Sequence, residues 1–403
     1  MTSPTVHKSC ALAAVLLAIV VFSPVMHAQT FTVLHTFVEG GDGMNPAGSL
    51  MRTAGGVIYG TTQFGGTGTC SGVPGCGTVF GVDIAGDLKI IYNFVGGKDG
   101  SGPEGELFFD AAGALYGTTR TGGDSTCGSA AGCGTVFKID AKGNESVVHA
   151  FTGSPDGRDP YFSGLSADAK GNLYGTTYNG GNTACPLGCG VIFRIDTKGR
   201  ESLPYSFTGQ TDGANPAGGV LWNAGLLFGT TYHGGDPSCD CGTVFKLNGP
   251  TESVLHSFTL GDDGGLPYAS VKPDPAGGFY GTTGGGGVGG FGTVFTLGTG
   301  GKETALYSFT GGSDGSLPFS GVIRDKSGNF YGTTYYGGTY GNGVVFKVDA
   351  AGNETVLHNF TGGSDGSNPV GALVMDVAGN LYGTTYYGGD SICGCGVVFK
   401  IVP

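Results

Sequence analysis

The chain has 403 residues, of which 85 are Gly and 18 are Pro; 12% are charged, 39% are hydrophobic, and the net charge is −12. That content of Gly and Pro excludes a protein of long helices, since these are the two poorest residues for a helix interior. Gly does not recur at every third position, which excludes collagen, and 25 Phe with 18 Tyr argue against low-complexity disorder. There is no Lys/Arg cluster, and an acidic chain repels phosphate, so nucleic acid and anionic membranes are not expected partners.

The first predicted element is a leader. Lys8 supplies a positive start, Ala11 to Phe22 is apolar, and Met26-His27-Ala28 ends on a small residue, which reads as a signal peptide over residues 1–28. The apolar run is too short for a membrane span. No later stretch approaches that length, and no tail follows Phe399-Lys400-Ile401-Val402-Pro403. The expected product is a soluble, monomeric protein, secreted or periplasmic, with a single domain over residues 29–403.

The rest of the chain is a repeat. Tyr-Gly-Thr-Thr begins at Tyr59, Tyr116, Tyr174, Tyr280, Tyr331 and Tyr382, with Phe228 in the remaining copy; the steps run from 58 down to 51 residues. An apolar stretch ends on Phe37, Phe94, Phe151, Phe207, Phe258, Phe309 and Phe360. A third signature, close to Gly-Thr-Val-Phe, places Phe80, Phe137, Phe193, Phe245, Phe295, Phe346 and Phe399. In the sixth copy the pattern predicts strands over 321–325, 329–334, 344–349 and 354–360, with Asp-x-x-Gly turns after the first and third. In such a turn Asp bonds the backbone ahead and Gly takes the positive φ that closes the hairpin. Four short strands in about 50 residues make a propeller blade, and seven copies predict an all-β, seven-bladed β-propeller. The chain opens with a fourth strand, 31–37, and closes with a third, 396–401, so pairing of the two would close the ring and remove the open edges.

The strand order is similar to that of NHL-type propellers. The Leu-Tyr-Gly-Thr-Thr, Gly-Gly and Gly-Thr-Val-Phe-Lys-Ile-Asp run more closely resembles the Gloeo/Verruco (GloVer) repeat family. This resemblance covers residues 31–401 and implies an exported repeat protein; it implies no activity.

In a propeller the Asp-x-x-Gly hairpins fall on one face, and the long Gly-Gly loops and the inter-blade Asp-Gly-x-x-Pro segments on the other, where binding is expected. Each inter-blade segment offers one acid (Asp42, Asp99, Asp156, Asp212, Asp263, Asp314, Asp365), too few oxygens for calcium, and reads as a turn. Ten cysteines fall in the strand-two-to-three loops as Cys70/Cys76, Cys127/Cys133, Cys185/Cys189, Cys239/Cys241 and Cys393/Cys395. Both members of a pair are present or both absent, as expected of local disulfides that staple the loops; the Cys-x-Cys rings are the tightest. His35, His149, His256 and His358 share one outer-strand position with Tyr92, Tyr205 and Tyr307, which reads as packing.

Residues that break the seven-fold pattern are the candidates for asymmetric chemistry: Glu104, Glu106, Arg120, Arg158, Asp159 and His233. Long polar side chains on loops are also commonly just solvated. A further candidate set is aromatic, with Phe64, Tyr178, Tyr232, Tyr335, Tyr336, Tyr386 and Tyr387 following the second strand onto the loop face. Such rings could stack on sugar or protein, or pack over the glycines. Two functions follow. The first is a non-catalytic scaffold that binds glycan or extracellular protein through these tyrosines. The alternative is a lyase or hydrolase on the loop face over blades two to four, with Glu104 or Glu106 as acid or base, His233 as proton carrier, and Arg120 or Arg158 holding an anionic group; Asp159 belongs to the same candidate set. There is no Gly-x-Ser-x-Gly elbow, zinc spacing or phosphate-cradling loop, and no metal or cofactor is expected.

Overall fold

The two Phe signatures meet at every seam between blades. In a computed structural model, which describes residues 29–403 apart from 71, 128 and 130, the Phe ending one blade stands edge-on to the third-strand Phe of the next. The seven pairs, Phe309–Phe346 among them, have centroids 5.0–5.4 Å apart and interplanar angles of 62–69°. All fourteen rings are fully buried. The apolar core is therefore divided among the seams, one cluster to each, as in the packing of Tyr280, Phe309, Phe330 and Phe346 between the fifth and sixth blades. Trp222 stacks on Tyr174 at 5.1 Å between the third and fourth blades.

Seven antiparallel sheets surround a central channel, and the only helical element among the described residues is a short 3-10 turn, Gly97–Asp99. In the sixth blade the strands are Ile323–Arg324, Phe330–Thr334, Val344–Val348 and Glu354–Asn359. The first is shorter than the sequence suggests: Asp325 already belongs to the turn, its carbonyl accepting from Gly328 N at 3.2 Å, and Ser320 O just ahead of the strand accepts from Thr282 Oγ1 of the fifth blade at 2.9 Å. The ring closes as expected, one residue out of the predicted bounds: Thr30–Thr36 pairs antiparallel with Val397–Val402, from Thr30 opposite Val402 to Thr36 opposite Val397. The expected leader, residues 1–28, lies outside the described residues.

Each letter of Tyr-Gly-Thr-Thr has a separate physical role. The Tyr331 hydroxyl donates to Asp325 Oδ2 at 3.1 Å, tying the strand to the Asp-x-x-Gly hairpin before it. In that hairpin Asp325 Oδ1 accepts the N–H groups of Ser327 and Asn329 at 2.8 and 2.9 Å. Gly332 leaves room for Phe346, whose Cζ would lie 2.7 Å from a Cβ built there. The first Thr reaches the next blade, as Thr176 Oγ1 does to Gly218 O at 2.8 Å. The second is buried and pins the loop, with Thr334 Oγ1 accepting from Val344 N at 3.2 Å and donating to Tyr336 O at 2.9 Å.

The inter-blade Asp is a turn residue. Asp314 accepts Thr310 N at 2.7 Å and the Tyr307 hydroxyl at 2.9 Å, and Asp263 accepts in the same way from His256 Nε2 at 3.0 Å. A bulge in each fourth strand turns that His or Tyr toward the Asp.

The ten cysteines of residues 29–403 form the five expected pairs, with Cα atoms 5.1–6.2 Å apart, in the range of a disulfide. They are not simply staples of surface loops, as their place in the sequence suggests. The first Cys of each pair is half-buried, but Cys76, Cys133, Cys189, Cys241 and Cys395 are fully buried and belong to the seams. The reason is a contact between blades that the loop position does not reveal. Each of these five stands just ahead of the third strand, and its carbonyl accepts the N–H of the residue before Pro in the next blade. Cys76 O accepts from Gly102 N and Cys133 O from Asp159 N, both at 3.0 Å. Cys189 O and Cys241 O accept from Asn215 N and Leu266 N at 2.7 Å, and Cys395 O from Asn45 N at 2.8 Å. The next blade therefore covers the sulfur. These pairs suit an oxidising, extracellular setting. No helix among the described residues is long and apolar enough to cross a membrane.

Candidate functional site

The loop face is organised by the residue before each inter-blade Pro. In all seven blades it has a left-handed backbone: Asn45, Gly102, Asp159, Asn215, Leu266, Leu317 and Asn368 have φ between 52 and 67°. Its carbonyl accepts the N–H of the residue just after Gly-Thr-Thr, as Leu317 O does from Tyr335 at 3.0 Å. Where it is Asn, its side chain also reaches the preceding blade: Asn45, Asn215 and Asn368 Nδ2 donate to Tyr386, Tyr178 and Tyr335 carbonyls at 2.8–3.0 Å. Two sets of side chains are thereby brought to the mouth of the channel, those following Gly-Thr-Thr and those following the Pro.

Half of these are aromatic. Tyr268 stacks on Phe319 at 4.0 Å, and its hydroxyl meets that of Tyr232 at 2.9 Å. Phe162 stands edge-on to Phe319 at 5.5 Å, Tyr161 to Tyr178 at 5.7 Å, and Tyr335 lies 5.7 Å from Phe319. Burial pushes the Tyr161 and Tyr178 hydroxyls up to about 12 and those of Tyr268 and Tyr386 higher, so all remain protonated hydrogen-bond donors at neutral pH. Tyr336 and Tyr387 lie one residue further on and point outward, about half exposed.

One corner of the mouth is polar. The Glu104 side chain is 1% exposed, and its Oε1 lies 3.6 Å from Arg120 Nη1 and accepts from Gln63 Nε2. Gln63 Oε1 in turn accepts from the Tyr386 hydroxyl. Arg120 lies over the Tyr161 ring at 4.7 Å. Burial raises the Glu104 carboxyl to about 7, against the pull of Arg120 and Gln63, and its Oε2 has no partner among the described residues. Asp159 Oδ2 accepts from Asn179 Nδ2 at 2.9 Å and Arg158 Nε at 3.3 Å.

The structure divides the sequence candidates. It brings Glu104 and Arg120 together and sets Asp159, with Arg158 bound to it, close enough to raise Glu104 electrostatically. Glu106 lies lower, in a channel cavity of 440 Å³, with Lys272 of the fifth blade at 3.6 Å; the carboxylate holds the Lys272 ammonium above its ordinary range. His233 occupies the outward position, equivalent to Tyr336 and Tyr387, and pairs with Asp240 at 3.0 Å. No hydrogen bond or ion pair joins it to either glutamate among the described residues. Sequence reasoning did not single out Gln63, Tyr161, Phe162, Tyr268 or Phe319; aligning the positions after each Pro would have found all but the first. A trio with metal-ligand spacing, His149, Asp156 and Glu201, has its ligand atoms within 4.8 Å of one another. Asp156 already accepts from Thr152 N and Oγ1 and meets His149, and other seams place Tyr where His149 stands, so the trio fits a seam tie.

The Gloeobacter/Verrucomicrobia repeat matches residues 125–326 and 312–403. The chain belongs to this family. No curated protein matches it. A crystal structure described as a "putative gluconolactonase" is similar over 93% of this chain and 92% of its own, at 11% identity and a TM-score of 0.45.

Proposed function

We propose that this repeat protein works outside the cytoplasm as a non-catalytic binder of carbohydrate chains, held at the mouth of its channel. The observation that carries the reading is the mouth itself, where aromatic rings of three blades, among them Tyr161, Phe162, Phe319, Tyr335 and Tyr386, line a hollow of 240 Å³ with a polar corner at Gln63, Glu104 and Arg120. Aromatic faces take the apolar side of a sugar ring, and the protonated hydroxyls and the guanidinium supply hydrogen bonds at its rim. A concave hollow favours a sugar over a protein partner, since protein interfaces need roughly 800 Å² of surface from each side.

The test is a glycan array followed by calorimetry. Tyr335→Ala and Tyr386→Ala should each weaken binding by about tenfold, near 1.4 kcal/mol. Wild-type protein that binds no glycan, or variants that bind as the wild type does, would refute the reading; capture of a single protein through the outward Tyr336 and Tyr387 would replace it.

The raised Glu104 carboxyl, close to Arg120, favours a second reading, an acid–base lyase or hydrolase. Its enclosure counts against this, because a proton donor must come within hydrogen-bond reach of the substrate and the Glu104 side chain is 1% exposed. Products formed from a bound glycan, and abolished by Glu104→Gln, would reverse the order of the two readings.

A further inference from the structure

The channel cavity below the mouth is a chamber with one charge pair on its wall. Its 440 Å³ lies within the roughly 300–1,000 Å³ of ordinary small-molecule sites. Small residues give it width. The third residue after the inter-blade Pro is Ser49, Gly219, Ser270, Gly321 or Ala372, and Gly164 takes that place in the third blade after one inserted residue. Only the second blade departs, with Glu106. Two residues on, and so on the same strand face, the residue paired with the first of Tyr-Gly-Thr-Thr is Met51, Phe108, Ser166, Leu221, Ile323 or Val374. Only the fifth blade departs, with Lys272. The two departures meet: Glu106 Oε2 and Lys272 Nζ lie 3.6 Å apart, although the second and fifth blades are not neighbours in the ring. A structural tie would be built otherwise. The seam charges are hydrogen-bonded, as Asp314 is to Thr310 and Tyr307, whereas the Glu106 and Lys272 side chains have no further hydrogen-bond partner among the described residues. They are 40% and 41% exposed, so solvent reaches them and their attraction adds little to stability.

We infer that this chamber is a second binding site, for a free α-amino acid with an apolar side chain, its ammonium on Glu106 and its carboxylate on Lys272. The inference is independent of the carbohydrate reading. An ammonium with three donors and a carboxylate with two acceptor oxygens, meeting at one long contact, leave most of their hydrogen-bonding capacity open to a ligand. A ligand with one charge would gain one of these groups and meet the like charge of the other 3.6 Å away. An α-amino acid carries both charges, about 3 Å apart by standard bond lengths, and engages the pair head to tail. The third charged residue on the wall, Glu104, already faces Arg120 and Gln63. Much of the remaining wall is apolar, with Leu107, Leu165, Val220 and Ala269 around the chamber and the rings of Phe162 and Phe319 shared with the mouth, and it suits an apolar side chain.

The test is calorimetric titration of the wild-type protein with leucine, methionine and phenylalanine. Glycine, leucinamide and N-acetylleucine serve as comparisons that lack the side chain, the carboxylate and the ammonium in turn. Leucine should bind about tenfold or more tightly than each of the three comparisons. Two variants then exchange the preference, and each takes a residue that another blade already holds at the same position. Lys272→Met, as Met51 in the first blade, leaves the carboxylate alone, and leucinamide should bind at least as tightly as leucine. Glu106→Ser, as Ser49, leaves the ammonium alone, and N-acetylleucine should bind at least as tightly as leucine. A pair that only ties the blades together would give no such exchange. Wild-type protein that binds none of the three apolar amino acids, or that binds glycine or either blocked leucine as well as leucine, would overturn the inference. So would variants that keep the wild-type order. Glycan binding at the mouth, present or absent, leaves this test unchanged.

Discussion

Glu104 makes stability depend on pH with a sign and size that follow from its burial. Its carboxyl titrates near 7 in the folded chain and at an ordinary 4.5 when unfolded, because burial disfavours the charged form more than Arg120 and Gln63 favour it. A carboxyl whose folded value is raised contributes its full stability below 4.5 and loses it as pH rises through 7. Across that interval the loss is about 3 kcal/mol, at 1.36 kcal/mol per pH unit, and full burial leaves no solvent screening to reduce it. Glu104→Gln keeps the shape and the bond to Gln63 but cannot ionise. Unfolding by guanidinium should therefore show the variant gaining about 3 kcal/mol relative to wild type between about pH 4 and pH 8. Any cost of leaving Arg120 without its partner changes little over that range and drops out of the slope. Five seam carboxyls, Glu145, Glu201, Glu252, Glu303 and Glu354, are also raised to about 7, by burial first and then by an Asp of the preceding blade. They are present in both proteins and cancel in the difference. A difference that stays flat with pH would show that Glu104 is ionised at little cost, and the enclosed corner would be misdescribed.

Those five glutamates give wild-type protein its own expected profile: stability should fall as pH rises from about 4.5 through 7, in thermal melts across that range. Phe309→Ala empties a fully buried position at the seam with Phe346 and should cost about 3–5 kcal/mol by denaturant unfolding; a loss below about 1 kcal/mol would mean that the paired rings do not hold the seam. Gly332→Ala should cost about 1–3 kcal/mol through crowding of Phe346 and Val322, and adding Phe346→Leu should recover part of it, since the double variant has room for the methyl. If the double variant is instead as unstable as the sum of the two single changes, crowding at Gly332 is not the cause.

Much of the fold was legible because it is built from contacts that repeat. The tetrapeptide, the two Phe signatures and the Asp-x-x-Gly turns each serve the same local purpose in every copy, so seven copies reveal both the blade and the number of blades. Even the closure could be read, because the missing part of the last blade is supplied by the segment at the start of the chain. The turn role of the inter-blade Asp and the pairing of the cysteines are local in the same sense. The burial of Cys76, Cys189 and Cys241 was not legible, because the cover over each comes from the following blade.

The mouth is different in kind. Glu104, Gln63 and Tyr386 come from three blades, and the last two are 323 residues apart in the chain. Two neighbours, Tyr232 and His233, receive opposite fates from the alternation of a strand end, one turned into the mouth and the other outward to Asp240. The amino-acid order determined the blade and its count, since each blade's interactions lie within itself and its neighbours. Only the closed ring could decide which irregular residues meet, because the axis is the one place where distant copies converge.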